Sequence, residues 1–269
     1  MIDEQQLAAL GARRISTDTD PDDLVLPEVS GRRLGWIANW LSQPPFIFRE
    51  WGLSRFVDGG LRVLFRGPSG TGKTMAAVAL AKSAGLDLYR VDVSAITSKY
   101  IADTERNIRQ AFAGASDAGV VLLFDEADVL FDKRSEVRDA HNHNANIDAT
   151  DLLRRIEPFA GLAIFATNRP SDIGADTLSR IDVLIDFPMP DEAAREAIWR
   201  KLIAAVKLPR AGELDVRPLA NQYELSGAEI LRCVRVASLL AATDDRSLDM
   251  ELLTAAAKER VAMRERRSH

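Results

Sequence analysis

The sequence predicts an α/β protein: a three-layer sandwich around a five-stranded parallel sheet, followed by a small all-helical domain. Between residues 61 and 187, short apolar runs rich in Val, Ile, Leu and Phe alternate with amphipathic segments. That alternation is typical of a parallel sheet buried on both faces. Beyond Pro190 the periodicity is helical only, which indicates a second domain. The 269 residues are 46% hydrophobic, enough to form a core.

The predicted elements follow one another without an internal repeat. A helix containing Trp36 and Trp40 comes first and stops at Pro44 and Pro45. The predicted strands cover residues 61–66, 88–93, 120–125, 162–167 and 183–187, and a helix at 75–84 follows the first of them. The helices of the second domain are predicted at 192–206, 226–242 and 248–263. The chain thus divides into an irregular lead-in (1–30), an α/β domain (31–190) and a helical lid domain (191–269).

The formal net charge of −5 lies entirely in the lead-in, where seven acidic residues accompany two arginines. The remaining chain is neutral overall, and this argues against a dedicated nucleic-acid-binding protein. Two interpretations of the acidic lead-in stay open. It is either a solvated terminus or a contact for a partner protein.

The composition also indicates in which cellular compartment the protein is located. The single cysteine, Cys233, excludes an internal disulfide and favours a reducing environment. Its apolar neighbours predict that it is a small core residue. The first residues lack a basic and apolar leader, and no apolar run approaches the roughly 20 residues needed to span a bilayer. We therefore expect a cytoplasmic protein without a membrane segment.

A glycine-rich turn separates the first predicted strand from the helix at 75–84. It matches the pattern G-x-x-x-x-G-K-[ST] through Gly67, Pro68, Ser69, Gly70, Thr71, Gly72, Lys73 and Thr74. Glycines let consecutive backbone N–H groups wrap a phosphate. Lys73 is expected to neutralise the β and γ phosphates of ATP, and the Thr74 hydroxyl to ligate Mg²⁺. The sequence therefore predicts the phosphate-binding loop (P-loop) of an NTPase.

Two acidic residues follow the third predicted strand, at the edge of a parallel sheet where ligands bind. Asp125 is expected to hold the Mg²⁺ ion through water, and Glu126 to polarise the attacking water. The alternative is that both residues only cap the next helix.

Six further segments occur in the order found in the AAA+ ATPases, and over about residues 30–265 the chain resembles the AAA clade of that family. They cover residues 98–101, 104–107, 166–170, 179–182, 187–191 and 225–230. The chain is similar in its residues 133–148 and in its compact length to bacterial ATPases that are encoded beside phage-tail-like injection systems. The resemblance implies a P-loop sandwich with a helical lid, and a homo-oligomeric ring of six subunits whose assembly can require ATP.

The resemblance also implies roles for single residues. Asn168 matches a polar sensor that orients water, and Arg180 matches a finger arginine that reaches the γ phosphate of the neighbouring subunit. Gly227 and Ala228 match the lid segment near the adenosine. The alternatives are a structural hydrogen-bonding asparagine and a surface ion pair for Arg180.

A pore loop is implied in the same way. It consists of Lys99, Tyr100 and Ile101, with the tyrosine gripping an extended polypeptide; the alternative is an ordinary half-buried tyrosine. Two positions depart from the family pattern: Ala102 replaces the usual glycine of the pore loop, and Val183 stands where many members carry a second finger arginine. The charged run at 133–139 is either a second pore loop or a solvated loop.

Together these residues predict an ATPase that uses Mg²⁺ and remodels, unfolds or disassembles a protein substrate or complex. The alternative is an ATP-dependent switch or assembly scaffold with slow turnover. His141 and His143 have no third ligand nearby, so we expect no structural metal site there. No H-E-x-x-H motif follows the ATPase segments, so we expect no built-in protease.

Overall fold

The computed structural model describes residues 7, 11–16, 19–42, 50–52, 60–92, 112–116, 119–128, 156, 159–169 and 173–267. The structural statements below concern these residues. The predicted pore loop at 99–101, the charged run at 133–139 and the histidine pair at 141 and 143 lie outside them.

A sheet of six strands forms the centre of the α/β part. Its strands are β1 (Arg13–Ile15), β2 (Leu61–Arg66), β3 (Leu88–Val91), β4 (Val121–Phe124), β5 (Leu162–Thr167) and β6 (Val183–Asp186). They lie in the order β1-β3-β4-β5-β2-β6. All neighbouring pairs are parallel except β1 with β3. The predicted parallel α/β sheet is confirmed, and β2 and β5 have the predicted bounds. The other three predicted strands are one or two residues shorter.

The additional strand, β1, lies in the lead-in that the sequence predicts to be irregular. It pairs antiparallel with β3, with Arg14 opposite Tyr89. Further along the lead-in, Lys82 Nζ donates a hydrogen bond to Asp20 Oδ1 at 2.6 Å. The prediction of an irregular lead-in is therefore wrong for residues 13–15, which form this strand. A variant that lacks the lead-in would lose an edge strand as well as any partner contact.

The centre of the sheet is buried because strands β4 and β5 are apolar on both faces. Every residue of β4 and β5 is buried. Across this pair the rings of Phe124 and Phe165 stack with centroids 4.8 Å apart. Burying a side chain of this size stabilises a fold by about 1.5–3 kcal/mol. The central strands therefore provide a rigid base for the residues at their carboxyl ends.

The helices of the same part whose ends the structure describes are α1 (Glu28–Ser42), α2 (Lys73–Ser83) and α3 (Ala175–Leu178). Helix α1 buries Leu34, Ile37 and Leu41, a spacing of three and four residues that gives one apolar face. Its Ser30 Oγ also donates to the carbonyl oxygen of Asp186 at 2.7 Å, which ties its first turn to strand β6.

The helical part contains α4 (Glu192–Ala205), α5 (Arg217–Gln222), α6 (Gly227–Thr243) and α7 (Met250–Arg267). The predicted helices correspond to α4, α6 and α7 with small shifts of their ends, whereas α5 was not predicted. The core of this part includes Trp199, Cys233 and Leu253. Cys233 is 1% exposed, as predicted for a core residue. Burial raises the pKa of its thiol to about 11, so it stays protonated at neutral pH.

The chain divides into two compact units. The first comprises residues 1–21, 28–67 and 73–187, and the second comprises residues 22–27, 68–72 and 188–269. The middle of the P-loop is thus counted with the helical unit. The domain limits at residues 30 and 190 stay predictions. Of the helices that the structure describes, none is both long and apolar enough to cross a membrane.

Candidate nucleotide-binding site

The P-loop begins at the carboxyl end of β2 with a residue that only glycine can occupy. Gly67 has φ +151°, and a Cβ atom there would lie 2.0 Å from the carbonyl oxygen of Phe187. Its N–H donates to the carbonyl oxygen of Thr167 at 3.2 Å. The start of the loop is therefore fixed by backbone contacts on both sides.

Lys73 opens helix α2 and points back along the P-loop. Its side chain is buried, and Nζ donates to the carbonyl oxygen of Gly67 at 2.7 Å and to Asn168 Oδ1 at 2.9 Å. The sheet order explains the second contact, because β5 lies beside β2 and Asn168 directly follows β5. The lysine and the predicted sensor are therefore neighbours.

The electrostatics of Lys73 favour an anionic ligand. Burial lowers the pKa of Lys73 below its usual value, while the nearby carboxylates of Asp125 and Asp128 act in the opposite direction. A buried ammonium group has lost much of its hydration. A phosphate oxygen that reaches Nζ would replace that hydration with a charge-assisted hydrogen bond.

Thr74 and Asp125 form the pair of oxygen ligands that the sequence predicts for Mg²⁺. Thr74 Oγ1 donates to Asp125 Oδ2 at 3.2 Å. Mg²⁺ in nucleotide sites commonly binds one or two protein oxygens and keeps several waters and phosphate oxygens as ligands. The hydroxyl and the carboxylate fit that chemistry. Arg90 Nε also lies 3.5 Å from Asp125 Oδ2 and balances part of its charge.

Glu126 follows Asp125 in an unusual backbone conformation. Its φ is +55°, in the left-handed region that few residues other than glycine adopt. Its side chain is exposed, and its N–H donates to Asp125 Oδ1 at 3.2 Å. The side chain of Asp125 contacts Thr74, so a helix-capping role alone does not account for Asp125.

Asp128 completes the group at the ends of β4 and β5. It accepts hydrogen bonds from Thr167 Oγ1, from Asn168 N at 2.9 Å, from Arg169 N at 3.2 Å and from Asn168 Nδ2 at 3.5 Å. No role was predicted for Asp128 from the sequence. Its position three residues after Asp125 was the only signal that could have drawn attention to it.

Within the helical unit, the predicted lid segment lies against the middle of the P-loop. Ala228 N donates to the carbonyl oxygen of Gly70 at 3.0 Å. Gly70 has φ +81°, and a Cβ atom there would lie 2.7 Å from Ser226 Oγ. Gly227 is the first residue of helix α6, whose start is held by a capping box between Ser226 and Glu229. The predicted position of Gly227 and Ala228 near the adenosine stays a prediction.

Arg180 lies in the turn between α3 and β6, where its N–H donates to the carbonyl oxygen of Thr177 at 3.1 Å. Its side chain is partly exposed. Val183 is the first residue of β6 and pairs with Val63 of β2. The position of the second finger arginine is therefore occupied by a strand residue.

Comparison with known proteins identifies the same region. Residues 63–189 match the family model described as "ATPase family associated with various cellular activities (AAA)". The chain is 32% identical over 192 residues to the 26S proteasome subunit RPT4 of Saccharomyces cerevisiae, which covers 68% of this chain and 44% of that protein. It is 34% identical over 210 residues to the human "ATPase family gene 2 protein homolog A". These residues cover 73% of this chain and 23% of that protein.

A third relative is the katanin p60 ATPase-containing subunit A1 of Strongylocentrotus purpuratus. It is 32% identical over 192 residues, which cover 66% of this chain and 36% of that protein. The chain therefore spans less than half the length of each of these three relatives.

Proposed function

We propose that this chain, whose residues 63–189 match the AAA ATPase family model, binds ATP with Mg²⁺ and hydrolyses the terminal phosphate. The observation that carries the proposal is that the start of helix α2 contacts the residues that follow β4 and β5 at one edge of the sheet. Lys73 contacts Asn168, and Thr74 contacts Asp125. In P-loop NTPases a lysine at the phosphates, a hydroxyl and a carboxylate that hold Mg²⁺ and a side chain that orients water serve phosphoryl transfer.

Each residue has a distinct part in the proposed reaction. Lys73 binds the outer phosphates and offsets the charge that builds up on them. Thr74 and Asp125 would hold Mg²⁺, which would supply further charge stabilisation when bound. Glu126 accepts a proton from the attacking water, and Asn168 orients that water. The backbone N–H groups of the P-loop surround the phosphates.

We further propose that hydrolysis drives the remodelling, unfolding or disassembly of a protein substrate or complex. The resemblance of residues 98–101 to a pore loop supports this proposal, as does the similarity to a subunit of the 26S proteasome. A ring of six copies would place the pore loops around one channel. We also propose a bacterial type of AAA ATPase, because residues 133–148 resemble that type, and a cytoplasmic location, because the chain has a single cysteine.

Ring formation leads to a prediction for Arg180. If this arginine completes the active site of the neighbouring copy, Arg180→Ala should lower kcat by about 10³-fold, since a finger arginine contributes 10³–10⁵. The wild-type rate per subunit should rise with protein concentration, because the site forms only on assembly. Steady-state ATPase assays over a dilution series, with sedimentation at the same concentrations, measure both effects.

Arg200→Ala provides a matched control, because this arginine is exposed on helix α4 and forms an ion pair with Glu196 on the same helix. It should hydrolyse ATP like the wild type. A monomer that keeps the full rate at the lowest concentration would contradict the assignment of Arg180.

Threading leads to a prediction for Tyr100. Tyr100→Ala should keep ATP hydrolysis within about threefold, because the residue belongs to none of the phosphate-binding motifs, and should lose substrate remodelling almost completely. Tyr100→Phe should retain remodelling, since the aromatic ring provides the grip. The substrate for this assay can be captured with Glu126→Gln, which is expected to keep ATP and substrate bound.

Remodelling by Tyr100→Ala at the wild-type rate would contradict threading through this loop. Slow turnover combined with ATP-dependent partner binding and no remodelling would instead support the switch or scaffold function. In that case Lys73→Ala should abolish partner binding itself.

A further inference from the structure

One carboxylate lies beside the nucleotide site without a part in the proposed reaction. Asp128 is three residues beyond Asp125, at the end of β4, and faces the residues that follow β5. It contacts three consecutive residues there, 167 to 169. In the preceding residue pair, Ala127 N donates to the carbonyl oxygen of Ala166 at 2.9 Å, so the two strand ends are joined by main-chain and side-chain bonds alike.

The contacts of Asn168 are divided between the two ends of its amide group. The oxygen, Oδ1, accepts from Lys73 Nζ at 2.9 Å, and the nitrogen, Nδ2, lies 3.5 Å from Asp128 Oδ2. An ionised carboxylate only accepts hydrogen bonds, and an ammonium group only donates them. The charges on either side therefore permit one orientation of the amide and oppose the flipped one.

The main chain at Asn168 is fixed by the same carboxylate. Asp128 Oδ1 accepts from the N–H groups of Asn168 and Arg169, at 2.9 and 3.2 Å. Hydrogen bonds to an ionised group are about twice as strong as neutral ones. Both the amide and the backbone that carries it are thus held from a single side chain.

We propose that Asp128 is a positioning residue that acts through Asn168: it holds the amide with its oxygen towards Lys73 and keeps the end of β5 in register with the end of β4. The inference rests on the proposed ATPase function, in which Asn168 orients the attacking water. Asp128 itself contacts neither nucleotide nor water in this mechanism. A misplaced orienting group slows the chemical step more than it weakens binding.

The test is a double-mutant cycle of Asp128→Asn and Asn168→Ala. Asp128→Asn keeps the volume but adds a donor, so either amide orientation becomes possible. It should lower kcat by about 10–100-fold and leave the Kd for a fluorescent ADP analogue within about threefold. In the Asn168→Ala background the same change should alter kcat by less than about twofold, because the residue it acts through is gone.

A second readout does not depend on hydrolysis. The side-chain NH₂ signals of Asn168 in a ¹⁵N–¹H spectrum, identified by their loss in Asn168→Ala, should shift when Asp128 is changed to Asn. Asp176→Asn, a change at an exposed aspartate on α3, serves as the control and should alter neither the signals nor kcat. If Asp128→Asn does not fold, the cycle is run with Asp128→Glu, which keeps the charge and shifts the carboxylate by one methylene.

Equal losses of kcat in the two backgrounds would overturn the proposal, and so would a loss of nucleotide affinity in proportion to kcat. Unchanged Asn168 signals would do the same. A wild-type protein that does not hydrolyse ATP would instead refute the proposed function. The spectroscopic result then still decides whether Asp128 holds the amide.

Discussion

Lys73→Met is expected to abolish ATP hydrolysis and to weaken ATP binding by about 100-fold or more. Methionine fills a similar volume, so the fold should persist, but the charge that meets the phosphates is lost. Each hydrogen bond to a charged group contributes about 1.5–3 kcal/mol, and Lys73 would make more than one to the phosphates. Titration with a fluorescent ATP analogue measures the loss directly.

Lys82→Met is the matched control, because this lysine lies near the end of the same helix, α2, and pairs with Asp20. It should bind ATP like the wild type. Thermal unfolding of both variants shows whether Lys73→Met is folded. ATP binding by folded Lys73→Met at wild-type affinity would refute the assignment of residues 67–74 as the phosphate site.

Glu126→Gln is expected to reduce hydrolysis by about 10²–10⁴-fold and to leave ATP binding intact. The range is that for the loss of a general base. The side chain is exposed, so the substitution removes no core contact. Single-turnover hydrolysis of radiolabelled ATP gives the rate of the chemical step, and nucleotide retained after gel filtration shows that ATP stays bound.

Glu259→Gln, at an exposed glutamate of α7, is the control for the loss of one negative charge. It should hydrolyse ATP at the wild-type rate. If Glu126→Gln retains more than about a tenth of wild-type hydrolysis, another group activates the water.

The parallel strands could be predicted from the sequence because each of them is a short run made up mostly of apolar residues. The predicted ranges of β3 and β4 included Asp92 and Asp125, which lie beyond the ends of these strands. The predicted ranges of β2 and β5 contained no such residue, and their bounds agree with the structure. Strand β1 was missed because Arg13 and Arg14 occupy two of its three positions. A strand at the edge of a sheet can pair through its backbone without the alternation of apolar and polar residues by which strands are recognised in a sequence. Helix α5 has six residues, too few for a helical period to be recognised.

The candidate site also contains residues that could be predicted from the sequence and residues that could not. The P-loop could be predicted because its residues are contiguous and its chemistry follows from their types. Asp128 could not, since its partners are about 40 residues away in the chain and are brought to it by the pairing of β4 with β5. Contacts of Arg180 with another copy cannot be derived from one chain, because they would depend on a second subunit.

The left-handed backbone at Glu126 has a consequence for the relation between activity and stability. A residue with a Cβ atom in this conformation lowers the free energy of unfolding by about 1 kcal/mol, and glycine avoids that loss. Glu126→Gly should therefore be inactive and yet melt at a temperature equal to or above that of the wild type, whereas Glu126→Gln keeps the strain. Selection for thermostability alone would tend to remove the carboxylate. In the proposed mechanism Glu126 is the general base, and the sequence would then give up some stability to keep that carboxylate where the strand ends.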